Sequence, residues 1–246
     1  MASEYLKWKY RDVKPDEPIQ LTAKQKRQNW WHYHKWHVVI GVALLVAAGN
    51  ILYHALGIGK VKPDYQIAYV GANPLPNGTI RALEEAIAAL GEDCNGDGKV
   101  VVQLNQYAHT GADLTGDSDG AMYATASNTA LMADLTDCDS YFFLLEDPDR
   151  FQQSYQVLRR LDGSLPSDLD RDYENCYLSW TDCPVLTGLA LGEYTENILS
   201  QENSGDNQTL LENLYLARRG FWTDNTVKNV EGCDTLWDIL TKEALS

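Results

Sequence analysis

Histidine is scarce in this chain. There are five in 246 residues, and His32, His34, His37 and His54 all precede residue 60, which leaves His109 as the one imidazole in the remainder. Any His-assisted serine or cysteine nucleophile there has to use that position. No G-x-S-x-G elbow and no H-E-x-x-H helix is present, so the sequence gives no ground to expect an enzyme and speaks against a hydrolase. Basic residues are also few beyond the N-terminus. Eight of the 20 Lys and Arg precede residue 37 together with four of the 35 acids, and the rest sets 12 basic against 31 acidic residues, a balance of -19. That charge repels phosphate backbones and argues against nucleic acid as a partner of the folded part.

One run lacks charge altogether. From His37 to Gly59 there is no Asp, Glu, Lys or Arg, and at 1.5 Å per residue the run is long enough for a hydrocarbon core of roughly 30 Å. Trp30, Trp31, Tyr33 and Trp36 crowd its N-terminal edge, with basic residues beyond them. Amphipathic rings favour the headgroup zone and Lys and Arg favour the cytoplasmic side, so the expected topology is a single-pass cell-membrane protein with a cytoplasmic N-terminus. The competing reading is a secretory signal cleaved near Val46-Ala47-Ala48. Against it stand a long polar segment ahead of the run and apolar residues continuing to Ile58. The expected organisation is a cytoplasmic tail over 1–36, a transmembrane helix over 37–59 and an extracytoplasmic domain over 60–246.

Within that domain, YQIAYV (Tyr65 to Val70), KVVVQLNQY (Lys99 to Tyr107) and SYFFLLE (Ser140 to Glu146) read as strands. Helical patterns separate them, at Thr79 to Leu90 and at Ala121 to Leu135. Strands alternating with helices at this spacing predict an α/β domain, a mainly parallel sheet with helices on both faces. Later segments predict helices over Phe151 to Leu161, Thr209 to Arg219 and Thr235 to Ala244, a strand over Cys176 to Trp180, and exposed loops over Leu165 to Asn175 and Gln201 to Gln208.

The stretch DCNGDG, Asp93 to Gly98, starts like a calcium loop, with Asp93, Asn95 and Asp97 on alternate positions. Leu104 stands where a calcium hand needs its bidentate acid, which excludes an EF-hand. Two readings stay open: structural calcium held by Asp93, Asn95 and Asp97 with a distal carboxylate, or an Asx and Gly turn without metal. Open α/β sheets bind ligands beyond the carboxyl ends of their strands. The predicted ligand edge is therefore built from 72–77, 108–120 and 146–149, with Asn73, His109, Asp117, Asp119 and Asp147 as candidate contacts. All five cysteines lie in the predicted outer part, and Cys176 and Cys183, the closest in sequence, could staple a local hairpin.

PDYQIAYVG, ALEEAIAALGEDCNGDGKVVVQLNQYA and NTALMADLTDCDSYFFLLEDPDRFQ, in that order, resemble the first lobe of type 2 extracellular solute-binding proteins over residues 63–155. The whole chain resembles uncharacterised membrane-anchored proteins of Gram-positive bacteria. That second resemblance implies no established activity, and the expected function is a membrane-anchored domain that binds a small solute or another membrane or envelope protein. The alternative is an accessory or scaffold subunit of a membrane complex with no small ligand.

Overall fold

The computed structural model describes residues 21–55, 62–108, 118–167, 170–198 and 201–245. The chain divides into two units, 1–60 and 61–246. The first holds helix α1 (Ala23–Ala55). Its start is fixed by a capping box: Gln25 Oε1 accepts from the Thr22 amide at 2.9 Å and Thr22 Oγ1 accepts from the Gln25 amide at 3.4 Å. Helix therefore begins well ahead of the uncharged run and carries the aromatic and basic residues in the same rod. By length and composition α1 suits a membrane span or a signal sequence. The last residues of the predicted span, 56–59, lie outside the described residues.

The second unit runs β1 (Tyr65–Val70), α2 (Asn77–Ala88), β2 (Val102–Tyr107), α3 (Ser118–Asp137), β3 (Phe142–Leu145) and α4 (Pro148–Tyr155), followed by β4 (Tyr177–Ser179), α5 (Pro184–Thr187), β5 (Glu193–Ile198), β6 (Gln201–Asp206), α6 (Asn207–Leu211), β7 (Tyr215–Arg218) and α7 (Val230–Leu240). Five strands form one sheet in the order β2-β1-β3-β7-β4, and β5 with β6 forms a separate hairpin. β1 pairs in parallel with β2 (Tyr65 opposite Val102) and with β3 (Ile67 opposite Phe142). β7 runs antiparallel to both of its neighbours, β3 and β4.

The sheet is thus mixed, which corrects the expected mainly parallel one. The cause lies in 209–219, where a single helix was expected. Helix α6 stops after Leu211, and Leu214 and Leu216, two apart and buried, carry the chain as a strand along the open edge of β3. Two other expectations also fail. The helix over Phe151 to Leu161 ends at Tyr155, because Gln156 turns left-handed (φ 52°) and returns its amide to Gln152 O. Leu158 then bridges to Arg219. The loop expected over Gln201 to Gln208 is instead strand β6 and the start of α6.

Alternate residues along the strands enter two apolar clusters. Tyr65, Ile67, Tyr69, Phe142, Leu144 and Leu216 belong to one, with Leu83 and Ile87 of α2 and Leu236 and Trp237 of α7. Ala68, Val70, Phe143, Leu145 and Ala217 belong to the other, with Leu131 and Leu135 of α3 and Phe151 of α4. Each fully buried Leu or Phe contributes about 1.5–3 kcal/mol, so β1 and β3, buried along almost their whole length, anchor the domain.

Candidate functional site

At the carboxyl ends of β1 and β3 lies a cavity of about 210 Å³. It is smaller than the roughly 300–1,000 Å³ of drug-sized sites. Glu146, the residue after β3, organises it. Its Oε1 lies 2.7 Å from the Tyr69 hydroxyl, whose proton it shares with the Asn73 carbonyl at 2.8 Å, and its Oε2 accepts from the Ala72 amide at 2.8 Å. Burial, reinforced by the Glu146 carboxylate, pushes the Tyr69 hydroxyl well above the usual phenol range, so it stays a donor. Gly71 sits between these groups. A Cβ there would come within 2.3 Å of Tyr69 Oη and 2.6 Å of Glu146 Oε1, so a side chain at 71 cannot coexist with this arrangement.

The next residue, Asp147, is the N-cap of α4 and accepts from the Arg150 amide at 3.0 Å, with Pro148 at the first helical position. The helix then presents Arg150 and Ser154 to the cavity, and Asn128 of α3 lines it as well. Arg150 is exposed, and no salt bridge among the described residues involves its guanidinium. Donors (Arg150, Asn128, Ser154) and acceptors (Glu146, Asp147) thus line one small space. That set matches a compact polar molecule bearing both kinds of group.

Of the predicted contacts, Asp147 lines the cavity. Asn73 stands at the same edge but contributes its carbonyl to Tyr69 and is not in the lining. His109 and Asp117 lie outside the described residues, and Asp119 falls in the first turn of α3. The sequence reading missed Arg150, Asn128 and Ser154. The helix N-cap pattern Asp147-Pro148 was the available signal for the first and last, since it places the opening turns of α4 beside the strand end.

The DCNGDG loop is held by backbone. Asp93 Oδ1 accepts from Gly96 at 2.7 Å and Oδ2 from Gly98 at 2.8 Å, Asn95 Oδ1 accepts from Asp97, and Asp97 Oδ1 from Lys99. Gly96 and Gly98 take the positive φ values of 74° and 85° that the turns require. These bonds, the one from Gly98 foremost, hold the Asp93 carboxyl below the usual carboxylate range. From beneath, buried Asp64 fastens the loop, with Oδ1 accepting from Cys94 and Asn95 and Oδ2 from Val101 at 2.8–3.0 Å. Among the described residues no group of three or more His, Cys, Asp or Glu is placed to hold a metal ion, and the carboxylate and amide oxygens of Asp93, Asn95 and Asp97 accept from backbone amides of the loop as in an Asx and Gly turn.

The Cys176 to Cys183 staple is not formed. All five cysteines are free, and the intervening strand β4 carries Cys176 into one apolar cluster and Cys183 into the other. Burial raises both thiols to about 11. No family model, no curated protein and no solved structure matches the chain.

Proposed function

We propose that this chain is a single-pass membrane protein, N-terminus cytoplasmic, whose acidic α/β domain lies outside the membrane and binds a small polar solute in the cavity at the carboxyl ends of β1 and β3. One observation carries the reading: the Arg150 guanidinium, without an ion-pair partner among the described residues, lines the same cavity as Glu146 and Asp147. A ligand with an anionic and a donor-bearing end answers both. The resemblance of 63–155 to one lobe of solute-binding proteins supports it, and the two apolar clusters support helices on both faces of the sheet. The apolar length of α1 and the excess of basic residues ahead of its uncharged run support the anchor and its orientation.

The test is thermal unfolding of the full chain in detergent against a panel of amino acids, sugars and short peptides. A ligand that binds only the folded state raises the midpoint, and Arg150→Ala should abolish the rise while leaving the unliganded midpoint within about 2 °C of the parent, as for an exposed substitution. A panel that moves nothing, or a rise that survives Arg150→Ala, sinks the solute reading and leaves the scaffold reading standing.

A further inference from the structure

The cysteines closest in sequence are not the ones this fold brings to one place. Cys176 and Cys183 occupy different clusters, and the Cys138 thiol lies 3.6 Å from the Asn225 carbonyl. Cys94 differs from these three. Its thiol is 3.2 Å from the Tyr65 hydroxyl and donates to Glu92 O at 3.1 Å. It also packs against the first turn of α7, where a Cβ at Gly232 would come within 2.6 Å of Cys94 Sγ. The next residue, Cys233, is 3% exposed and sits in the apolar cluster against which Cys94 packs. Burial and then the neighbouring Cys94 raise the Cys233 thiol to about 12. Burial, with Cys94 and Cys233 adding to it, pushes the Tyr65 hydroxyl upward too. A phenol and two thiols therefore share one pocket of structure beneath the DCNGDG loop.

We propose that Cys94 and Cys233 form a disulfide that ties the loop ahead of β2 to helix α7. The oxidant is a small-molecule disulfide. The Cys94 thiolate attacks one of its sulfurs and releases one thiolate, and the Cys233 thiolate then attacks the Cys94 sulfur of the mixed disulfide and releases the second. Both cysteines are oxidised, the reagent is reduced to two thiols, and the protons lost by the cysteines end on those thiols. Burial sets the timing. Cys94 is partly exposed, whereas Cys233 in the folded chain is enclosed and scarcely ionised near neutral pH, so the second step belongs to folding, before α7 is fully docked. Gly232 is what lets the helix approach the sulfur so closely. The closed loop, 94 to 233, contains β2, β3, β4 and β7, so the cross-link removes much of the freedom of the unfolded chain.

The full chain, reduced and unfolded in urea, is refolded into detergent with oxidised and reduced glutathione. Free thiols are then blocked with N-ethylmaleimide, and the chain is digested with trypsin without reductant. Cys94 and Cys233 fall on separate peptides, 82–99 and 229–242, whereas Cys176 and Cys183 share 172–218. The expected map joins 82–99 to 229–242 and leaves three blocked cysteines. Reductant should lower the melting midpoint of the cross-linked chain by on the order of 10 °C, and the midpoint of Cys94→Ser should no longer respond to it. Five blocked cysteines, or a linkage confined to 172–218, overturns the proposal. The map needs only the wild-type chain, so a variant that fails to fold leaves it decisive.

Discussion

Asp64 and Glu146 stand at opposite ends of the parallel half of the sheet. Both use two carboxylate oxygens to hold chain that is distant in sequence, with different results. Asp64 is buried and collects three backbone amides from 94–101, so it closes its end of the sheet. Glu146 is exposed and holds one amide and one hydroxyl, so it shapes its end and leaves space beside it. The difference is the number of donors delivered: a saturated carboxylate is part of the fold, and a partly used one leaves acceptor capacity facing the cavity that Arg150 also lines.

The sharpest way to break this comparison is Asp64→Ala. Three amides lose a charged acceptor that is itself buried, and the expected loss is about 4 kcal/mol, read as a fall in the denaturant midpoint at unchanged slope. A loss below about 1 kcal/mol would show that the loop is fastened by something else. Next comes Gly71→Ala, expected to cost about 2 kcal/mol through overpacking against Tyr69 and Glu146 and to eliminate any solute-dependent rise in melting temperature. Retained binding would mean that the Tyr69 and Glu146 contacts yield freely. Glu146→Gln keeps the shape and loses the charge. It should cost only about 1 kcal/mol while weakening solute binding, and a cost as large as that of Asp64→Ala would erase the distinction between the two ends.

The smallest effect concerns acid. The folded value of Asp93 lies below its unfolded one, so its stabilisation is complete above the ordinary carboxylate value of about 3.9 and is lost as pH falls through the lower folded value. Asp93→Asn should therefore flatten the acid limb of the stability curve below about pH 4 and leave its neutral part with the same shape. An unchanged acid limb would show that the loop's backbone bonds do not depend on that charge.

The first half of the domain was legible because its signals are local. YQIAYV is apolar almost throughout, and Thr79, Leu83 and Ile87 repeat at four-residue intervals. The second half was not. Leu210, Leu211, Leu214 and Leu216 satisfy a helical repeat nearly as well as a turn followed by a strand, and what decides is the open edge of β3, some seventy residues earlier in the chain. In the hairpin, EYTENI and QENSGD lack an alternating apolar face, so nothing marks them as strands. Gly205 has its place there because the Tyr194 ring occupies the space a side chain would need, within 3.0–3.3 Å of a Cβ. At the site, strand-end logic reached Asp147 and the Glu146 edge. It could not reach Arg150, whose interest lies in lining the cavity without an ion-pair partner among the described residues, or Asp64, whose three donors come from the far side of α2.

Helix α4 has a further consequence for how this protein can change over time. Tyr69 and Glu146 hydrogen-bond to each other and leave no room for a side chain at Gly71, so that wall of the cavity tolerates little change of shape. Arg150 and Ser154 project from an exposed helix face whose start is fixed by Asp147 and Pro148. Replacing them leaves the scaffold untouched. On the proposed solute-binding reading, divergence in what the cavity accepts is therefore cheapest at 150 and 154, and a directed search for altered selectivity should begin with libraries at those two positions.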